Sequence, residues 1–253
     1  MKFSIITCTW NSEQWLPDSI ASVDAQQDAD IERIFVDGGS TDRTLDIIAG
    51  VKGQVKLVRD VRNGISNAMN EGVKAATGDV IAHLHSDDIY VDGSVLTKVR
   101  VGLERVPSAR WLYGRCRSIV QGELIDNSYE TKPFSWPNLI RGNIIPHPAT
   151  FIRRDLFNEI GGFSTQLKYV MDYDLWLRLG RRHVPVQLDD YLAAFRFHEG
   201  SLSTRNLWQC HAECQRVRME YASRNPVERL EHHVRHVWRS VRLAADPMRL
   251  KSL

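Results

Sequence analysis

The sequence predicts an α/β protein built on a doubly wound sheet, and three observations carry that expectation. β-rich runs alternate with helix-patterned stretches three times within the first 78 residues, the βα rhythm that lays strands side by side in parallel. One strand-to-helix connection, Asp37-Gly-Gly-Ser-Thr-Asp42, is a Gly-rich turn at a helix N-terminus, a natural seat for a nucleotide. Finally, the short apolar run Val80, Ile81, Ala82 and Leu84 leads directly into Ser86, Asp87 and Asp88. Adjacent carboxylates at the end of a buried strand repel, so a divalent cation, basic neighbours or hydration must compensate them. Ligand crevices of open α/β sheets lie outside the carboxyl ends of strands, where this pair falls. The plain alternative is an acidic turn that merely stops the strand.

Taken in order, residues 3–9 form the first β-rich run. Residues 13–26 follow as a helix, with Ser12 as N-cap and Trp15, Leu16, Ile20 and Val23 on its apolar face. Residues 31–36 are the second strand, and Thr41 or Asp42 caps a helix over 44–49. The dinucleotide fingerprint Gly-x-Gly-x-x-Gly is absent, and an ordinary tight turn would carry the same glycines. Residues 55–58 are a third strand, followed by the loop Arg62-Asn63-Gly64. A helix over 65–76 places Ile65, Met69 and Val73 at four-residue spacing. The 78–84 strand and a helix over 93–103 complete this half.

Beyond Pro107 the pattern is less regular. Strands are predicted at 111–114, 118–121 and 124–125, and a Pro- and aromatic-rich loop at 134–145. A strand over 146–153 has its start set by two prolines. Asp155 caps a helix that Gly161-Gly162 ends, a helix spans 173–180, and late strands cover 186–188 and 192–197. From Leu207 the chain reads as helical, and residues 224–253 hold seven Arg/Lys against three Asp/Glu, with an apolar stripe of Leu230, Val234, Val237, Trp238, Val241 and Leu243. Such a segment suits an anionic membrane surface, a partner, or docking on the body with its basic face in water.

With 253 residues, 43% hydrophobic and 25% charged, the chain has enough material for a full core. A net charge of +2 offers no global argument for nucleic acid. No apolar run reaches spanning length, and the opening residues lead into a strand rather than a signal peptide. Four cysteines make no disulfide framework, so the expectation is a cytoplasmic protein. Cys210-His-Ala-Glu-Cys214 lacks the second Cys/His pair that a structural zinc site requires.

Six segments agree in order and spacing: residues 3–11, Val36-Asp-Gly-Gly-Ser-Thr-Asp42, residues 63–72, residues 78–88, Ile160-Gly-Gly-Phe163 and Asp172-Tyr-Asp-Leu-Trp-Leu-Arg178. Together they resemble family 2 glycosyltransferases of the GT-A fold, of the bacterial exopolysaccharide, O-antigen and colanic-acid type. The resemblance covers about residues 2–205. It implies a Rossmann-like mixed sheet with helices on both faces, divided into a nucleotide-sugar half (1–106) and an acceptor half (107–205), with 206–253 as a basic helical extension. It also implies a nucleotide-diphosphate-sugar donor, a divalent cation (Mn2+ or Mg2+), and single displacement with inversion onto a glycan or lipid-linked acceptor. The extension would then contact the cytoplasmic face of the inner membrane, and the oligomeric state stays open.

Carried over residue by residue, the resemblance makes Asp88 the metal acid and Asp87 its ribose-side neighbour. It sets Asp37 against the base, with Thr9, Asn11 and Asn63 nearby. His198 falls near the diphosphate or metal, His147 on the acceptor side, and Asp172 becomes the base that deprotonates the acceptor hydroxyl. Asp172 also suits a helix N-cap, and Asp174, inside the helix, a structural role. Two departures stand out: His85 occupies a place where relatives often carry Asp or Asn, and Met171 one where they often carry Glu. They motivate a non-catalytic nucleotide-sugar-binding or scaffold alternative. A sugar-1-phosphate nucleotidyltransferase is the other rival, but the loop after the first strand has neither Gly nor Lys.

Overall fold

Residues 1–27, 29–126, 132–198, 200–223 and 225–245 are described in the computed structural model. The basic residues Arg224, Arg249 and Lys251, and Glu199 next to His198, lie outside them. The elements run β1 (Lys2–Thr9), α1 (Leu16–Asp24), β2 (Asp30–Asp37), α2 (Thr44–Ala49), β3 (Gln54–Val58), α3 (Ile65–Ala75), β4 (Val80–His83), β5 (Ile89–Tyr90) and α4 (Val95–Arg105). They continue with β6 (Trp111–Val120), β7 (Glu123–Ile125), α5 (Trp136–Arg141), β8 (Thr150–Arg153), α6 (Arg154–Glu159), α7 (Met171–Gly180), β9 (Val186–Phe197), α8 (Leu202–Arg205), α9 (Leu207–Tyr221) and α10 (Pro226–Ala245).

The strands belong to one sheet in the order β3-β2-β1-β4-β8-β6-β9-β5, with β7 paired to β6. The first four are parallel, as the βα rhythm requires, and β8 pairs antiparallel to β4, making the sheet mixed. Period-2 alternation divides the core between its faces. Ile6, Cys8, Ile34 and Val36 pack with α3, α5 and α7, whereas Phe3, Ile5, Val80 and Ala82 pack towards α4. Trp176 of α7 stacks on Trp111 of β6 at 6.0 Å and 11° between planes.

Several expectations are corrected. The first helix begins at Leu16, because Pro17 suits a first turn that needs no amide donor, and Ser12 instead accepts from the Trp10 amide at 3.1 Å. The strands expected at 111–114 and 118–121 are one strand, β6. Gly114 does not break it: a Cβ there would meet the Leu192 side chain at 2.5 Å, so glycine lets β9 approach through a bulge. The late strands likewise merge into β9. The 134–145 loop contains α5, whose N-cap Ser135 accepts from the Asn138 amide. Residues 147–149 are a 3-10 turn, so β8 begins only at Thr150. Neither Asp155 nor Asp172 is an N-cap; both lie in first turns, Asp172 as the second residue of α7.

α3 lies close against β1 and β2 because Gly72 has no side chain. A Cβ there would stand 2.4 Å from Ile6 Cγ2 and 3.1 Å from Val36 Cγ2. Gly72→Val is therefore expected to lower stability by about 1–3 kcal/mol through overpacking. Urea unfolding should show the midpoint falling with little change of slope.

Candidate active site

The carboxyl ends of β1 and β2 are laced together by side chains. Thr9 and Asp37 are register partners, and the Thr9 hydroxyl donates to Asp37 Oδ1 at 3.0 Å. Asp37 Oδ1 also accepts from the Ser40 hydroxyl at 2.6 Å, and Oδ2 from the Gly39 and Ser40 amides, each at 2.8 Å. Burial by itself would raise the Asp37 pKa, but these hydrogen bonds outweigh it and hold the carboxylate below its ordinary value. Asn11, in the left-handed region at φ 50°, accepts from the Thr41 amide at 2.9 Å and donates its own amide to Ser40. Thr9, Asn11 and Asp37 thus sit together, with Asn11 exposed. Asp37 is 1% exposed, and each of its oxygens accepts two hydrogen bonds, so the carboxylate frames the turn.

Two residues that sequence reasoning passed over stand at the open side of this frame. Trp10 is 69% exposed, and the guanidinium of Arg62 covers the Gly39 turn, where a Cβ would stand 2.6 Å from its Nη2. A lone aromatic in a polar loop after a strand was the available signal for Trp10. Asn63 lies beside Arg62 with φ 72° and an exposed side chain.

The acid pair follows β4. Asp88 is 0% exposed, and its Oδ1 accepts from the Arg196 amide of β9 at 3.2 Å, while Oδ2 has no hydrogen-bond partner among the described residues. Burial, then the neighbouring Asp87 charge, pushes its pKa well above the usual carboxylate range. Asp87 faces the other way. Its Oδ2 stands 2.8 Å from Nε2 of His198, with about a quarter of each side chain exposed (22% and 26%). Burial works to raise the Asp87 pKa, but the His198 hydrogen bond and the His85 and His198 charges outweigh it, so the group stays low. Asp88 is thus the sealed member of the pair, with Oδ2 left as an orphaned buried oxygen, and the partly exposed carboxylate belongs to Asp87.

Arg196 compensates the pair. Besides its amide bond to Asp88, its Nε donates to the Asp87 carbonyl at 3.1 Å and its Nη2 to Asp18 Oδ2 at 2.8 Å, with the guanidinium 4.3 Å above the Trp15 ring. His198 lies two residues further along, on the same side of the chain.

Asp172 lies across a bridge of rings. His85 stands 5.2 Å from His147, and His147 5.8 Å from Trp176, one turn along α7 from Asp172. Asn143 Nδ2 donates to Asp172 Oδ2 at 3.2 Å, and the Tyr173 amide to Oδ1 at 2.7 Å. Burial nevertheless raises the Asp172 pKa to about 6. Desolvation also keeps His83 neutral, with a pKa of about 3, and lowers those of His85 and His147. Asp174 instead pairs with Arg178 at 2.8 Å and accepts from Tyr221 at 2.9 Å. Met171 is buried in the core at 5% exposure, an apolar residue filling apolar space. Glu213 of α9 accepts from the amides of Lys168, Tyr169 and Val170 at 3.2, 2.7 and 3.1 Å, ahead of the first turn of α7. The C-terminal helices thus hold the helix that carries Asp172.

Among the described residues no cluster of three or more His, Cys, Asp or Glu is placed to hold a metal by itself, the Cys210–Cys214 segment included. Asp87 and His198 do fit a shared ion. Two ligands at about 2.1 Å and a right angle on one cation stand about 3 Å apart, close to the 2.8 Å seen here. Such ions usually complete their shell with substrate phosphates and water.

A mixed sheet with a framed loop pair and a partly exposed acid–imidazole pair beyond its strands, and a half-buried carboxylate on α7, is an arrangement of the GT-A type. The family model described as Glycosyl transferase family 2 matches residues 4–104. The PGL/p-HBAD biosynthesis glycosyltransferase of Mycobacterium bovis is 34% identical over 184 residues, covering 70% of this chain and 68% of that protein. An uncharacterized glycosyltransferase of Haemophilus influenzae is 27% identical over 210 residues, covering 79% and 71%. S. aureus TarS (1–349) in complex with UDP-GlcNAc shares the fold with a TM-score of 0.72 at 21% identity, over 93% of this chain and 72% of that one. A Pyrobaculum calidifontis mannosyltransferase in complex with GDP-Man and Mn2+ gives 0.65 at 16% identity, over 96% and 75%. The chain belongs to glycosyltransferase family 2.

The raised Asp88 pKa has a sign. A carboxyl whose folded pKa lies above its unfolded one binds more protons when folded, so its contribution to stability falls as pH rises through the folded value. Asp88→Asn is expected to match or exceed the wild-type melting temperature at pH 7 in chelator. The difference should shrink as the buffer is made acidic.

Proposed function

We propose that this enzyme transfers one sugar, with inversion, from a nucleotide-diphosphate sugar to a hydroxyl of a glycan or lipid-linked acceptor in bacterial surface polysaccharide synthesis. The observation that carries the reading is the accessible Asp87–His198 pair beside the Thr9–Asn11–Asp37 frame. In this reading residues 1–106 hold the donor, 107–205 shape the acceptor side, and 206–253 make the peripheral contact with the cytoplasmic face of the inner membrane. Trp10, Arg62 and Asn63 border the base and ribose, over the loop that Asp37 shapes. Asp87 and His198 hold a divalent cation, Mn2+ or Mg2+, which when bound offsets charge on the departing diphosphate.

Asp172 takes the proton of the acceptor hydroxyl as that oxygen bonds to the anomeric carbon and the bond from carbon to diphosphate oxygen breaks. A pKa of about 6 suits the task, being low enough for the carboxylate to be ionised at neutral pH and high enough to accept a proton in the transition state. His147 and Asn143 lie on the acceptor side, with Asn143 holding the base in place.

The test is calorimetry and turnover with a panel of nucleotide sugars, with Mn2+, Mg2+ or chelator. Asp87→Ala is expected to abolish metal-dependent donor binding. Asp172→Asn should keep binding and lose turnover by about 10²–10⁴-fold. No donor bound by the wild type under any metal condition would overturn the reading in favour of a scaffold. The pH dependence follows from the base. Since Asp172 must be ionised, kcat/KM should rise with pH, level off above about 6 and fall tenfold per unit below it. A profile flat through that region would remove Asp172 from the role.

A further inference from the structure

A surface helix ordinarily buries its apolar stripe. The α10 helix does the reverse. Its buried residues are His232 and Leu243, with Arg229, His236 and Arg239 half-buried beside them. Polar contacts dock this side: the His236 ring stacks on His211 of α9 at 4.2 Å, His211 Nε2 lies 2.9 Å from the Ser240 hydroxyl, and Gln215 lies 3.2 Å from His233. Val227, Leu230, Val234, Val237, Trp238 and Val241 all point outward, each between 55% and 73% exposed. At about 100° per residue they fall within an arc of about 100°, whose centre is about 170° from that of the docked side. An apolar ridge of this size, on the order of several hundred Å2, marks an interaction site rather than ordinary surface.

Charge and ring chemistry point to the occupant. After Glu231 the helix carries Arg235, Arg239 and Arg242 and no acid. Glu231 itself is neutralised by Arg235 at 2.9 Å and Arg141 at 3.5 Å. Arg235 and Arg242 flank the ridge on one edge, and the Arg242 guanidinium lies 4.6 Å from the Trp238 ring centre. Apolar side chains flanked by arginines, with a tryptophan among them, match the layering of a lipid interface: acyl chains below, anionic headgroups at the edge.

We infer that α10 lays the ridge from Val227 to Val241 into the surface of an anionic bilayer, holding the enzyme by its outward apolar face while its polar face stays docked on the body. The choice of a bilayer over another protein rests on the lipid-linked acceptor proposed above. Because the ridge residues are exposed, substitutions there leave the core untouched, and the inference can be tested on the full chain.

The experiment is flotation with phosphatidylcholine vesicles, with and without phosphatidylglycerol, at low and high salt. Val237→Asp and Trp238→Ala variants are run beside wild type, with size-exclusion light scattering and metal-dependent donor hydrolysis on the same samples. The wild type should float with phosphatidylglycerol vesicles and more weakly with phosphatidylcholine alone. Val237→Asp should reduce flotation on the order of tenfold or more, with melting temperature and donor hydrolysis in solution unchanged. Equal flotation of wild type and Val237→Asp, or none by the wild type, would overturn the inference. So would a wild-type dimer that Val237→Asp converts to monomer, since a second copy would then cover the ridge. Flotation of a wild type that binds no donor under any metal condition would leave the inference standing and sink the transferase reading instead.

Discussion

Two carboxylates side by side at the end of a buried strand are the constraint around which the rest of this molecule is arranged. Their mutual repulsion in a poorly solvated place has to be offset, and the end of a distant strand contributes at both members, through Arg196 at Asp88 and His198 at Asp87. Arg196 donates its amide to Asp88, its Nε to the Asp87 carbonyl and its Nη2 to Asp18, while lying over Trp15. Those contacts join β9, the acid loop and α1. They also bring His198 against Asp87, leaving one carboxylate sealed and one facing the crevice. The difference between these chemically identical neighbours has two causes: burial pushes the Asp88 pKa up, whereas the His198 hydrogen bond and the neighbouring histidine charges hold that of Asp87 down.

The same logic sets the other groups. Asp37 is held ionised by donors from its own loop and from Thr9, so its charge organises backbone rather than meeting solvent. Asp172 accepts from fewer donors, and desolvation moves its pKa up to about 6. Between them, burial brings the His83 pKa down to about 3 and lowers those of His85 and His147.

The C-terminal helices connect the chemistry to the surroundings. Glu213 braces the segment leading into α7, and Tyr221 reaches Asp174 on the same helix. Helix α9, on which α10 docks, is thus packed against the helix that carries Asp172. For the proposed transfer to a lipid-linked sugar, this packing would join the proposed membrane face to the proposed base.

The sequence alone determined the repeating βα order, the positions of the strands that end at Thr9, Asp37 and the Asp87–Asp88 pair, and the helix that begins near Asp172. These are encoded locally, in side-chain period and turn chemistry. Six motifs in register were enough to reach the family. What only the tertiary structure decided is which atom of each motif remains available. Asp87 rather than Asp88 faces the crevice because β9, more than a hundred residues away, covers one and not the other. The Asp37 carboxylate accepts from its own loop and from Thr9, and the halves of β6 and β9 join where Gly114 lets the strands approach. The apolar stripe of α10 was legible as spacing, yet its direction was not. That direction depends on whether α9 offers the helix a polar or an apolar surface, and with His211 and Gln215 it offers a polar one.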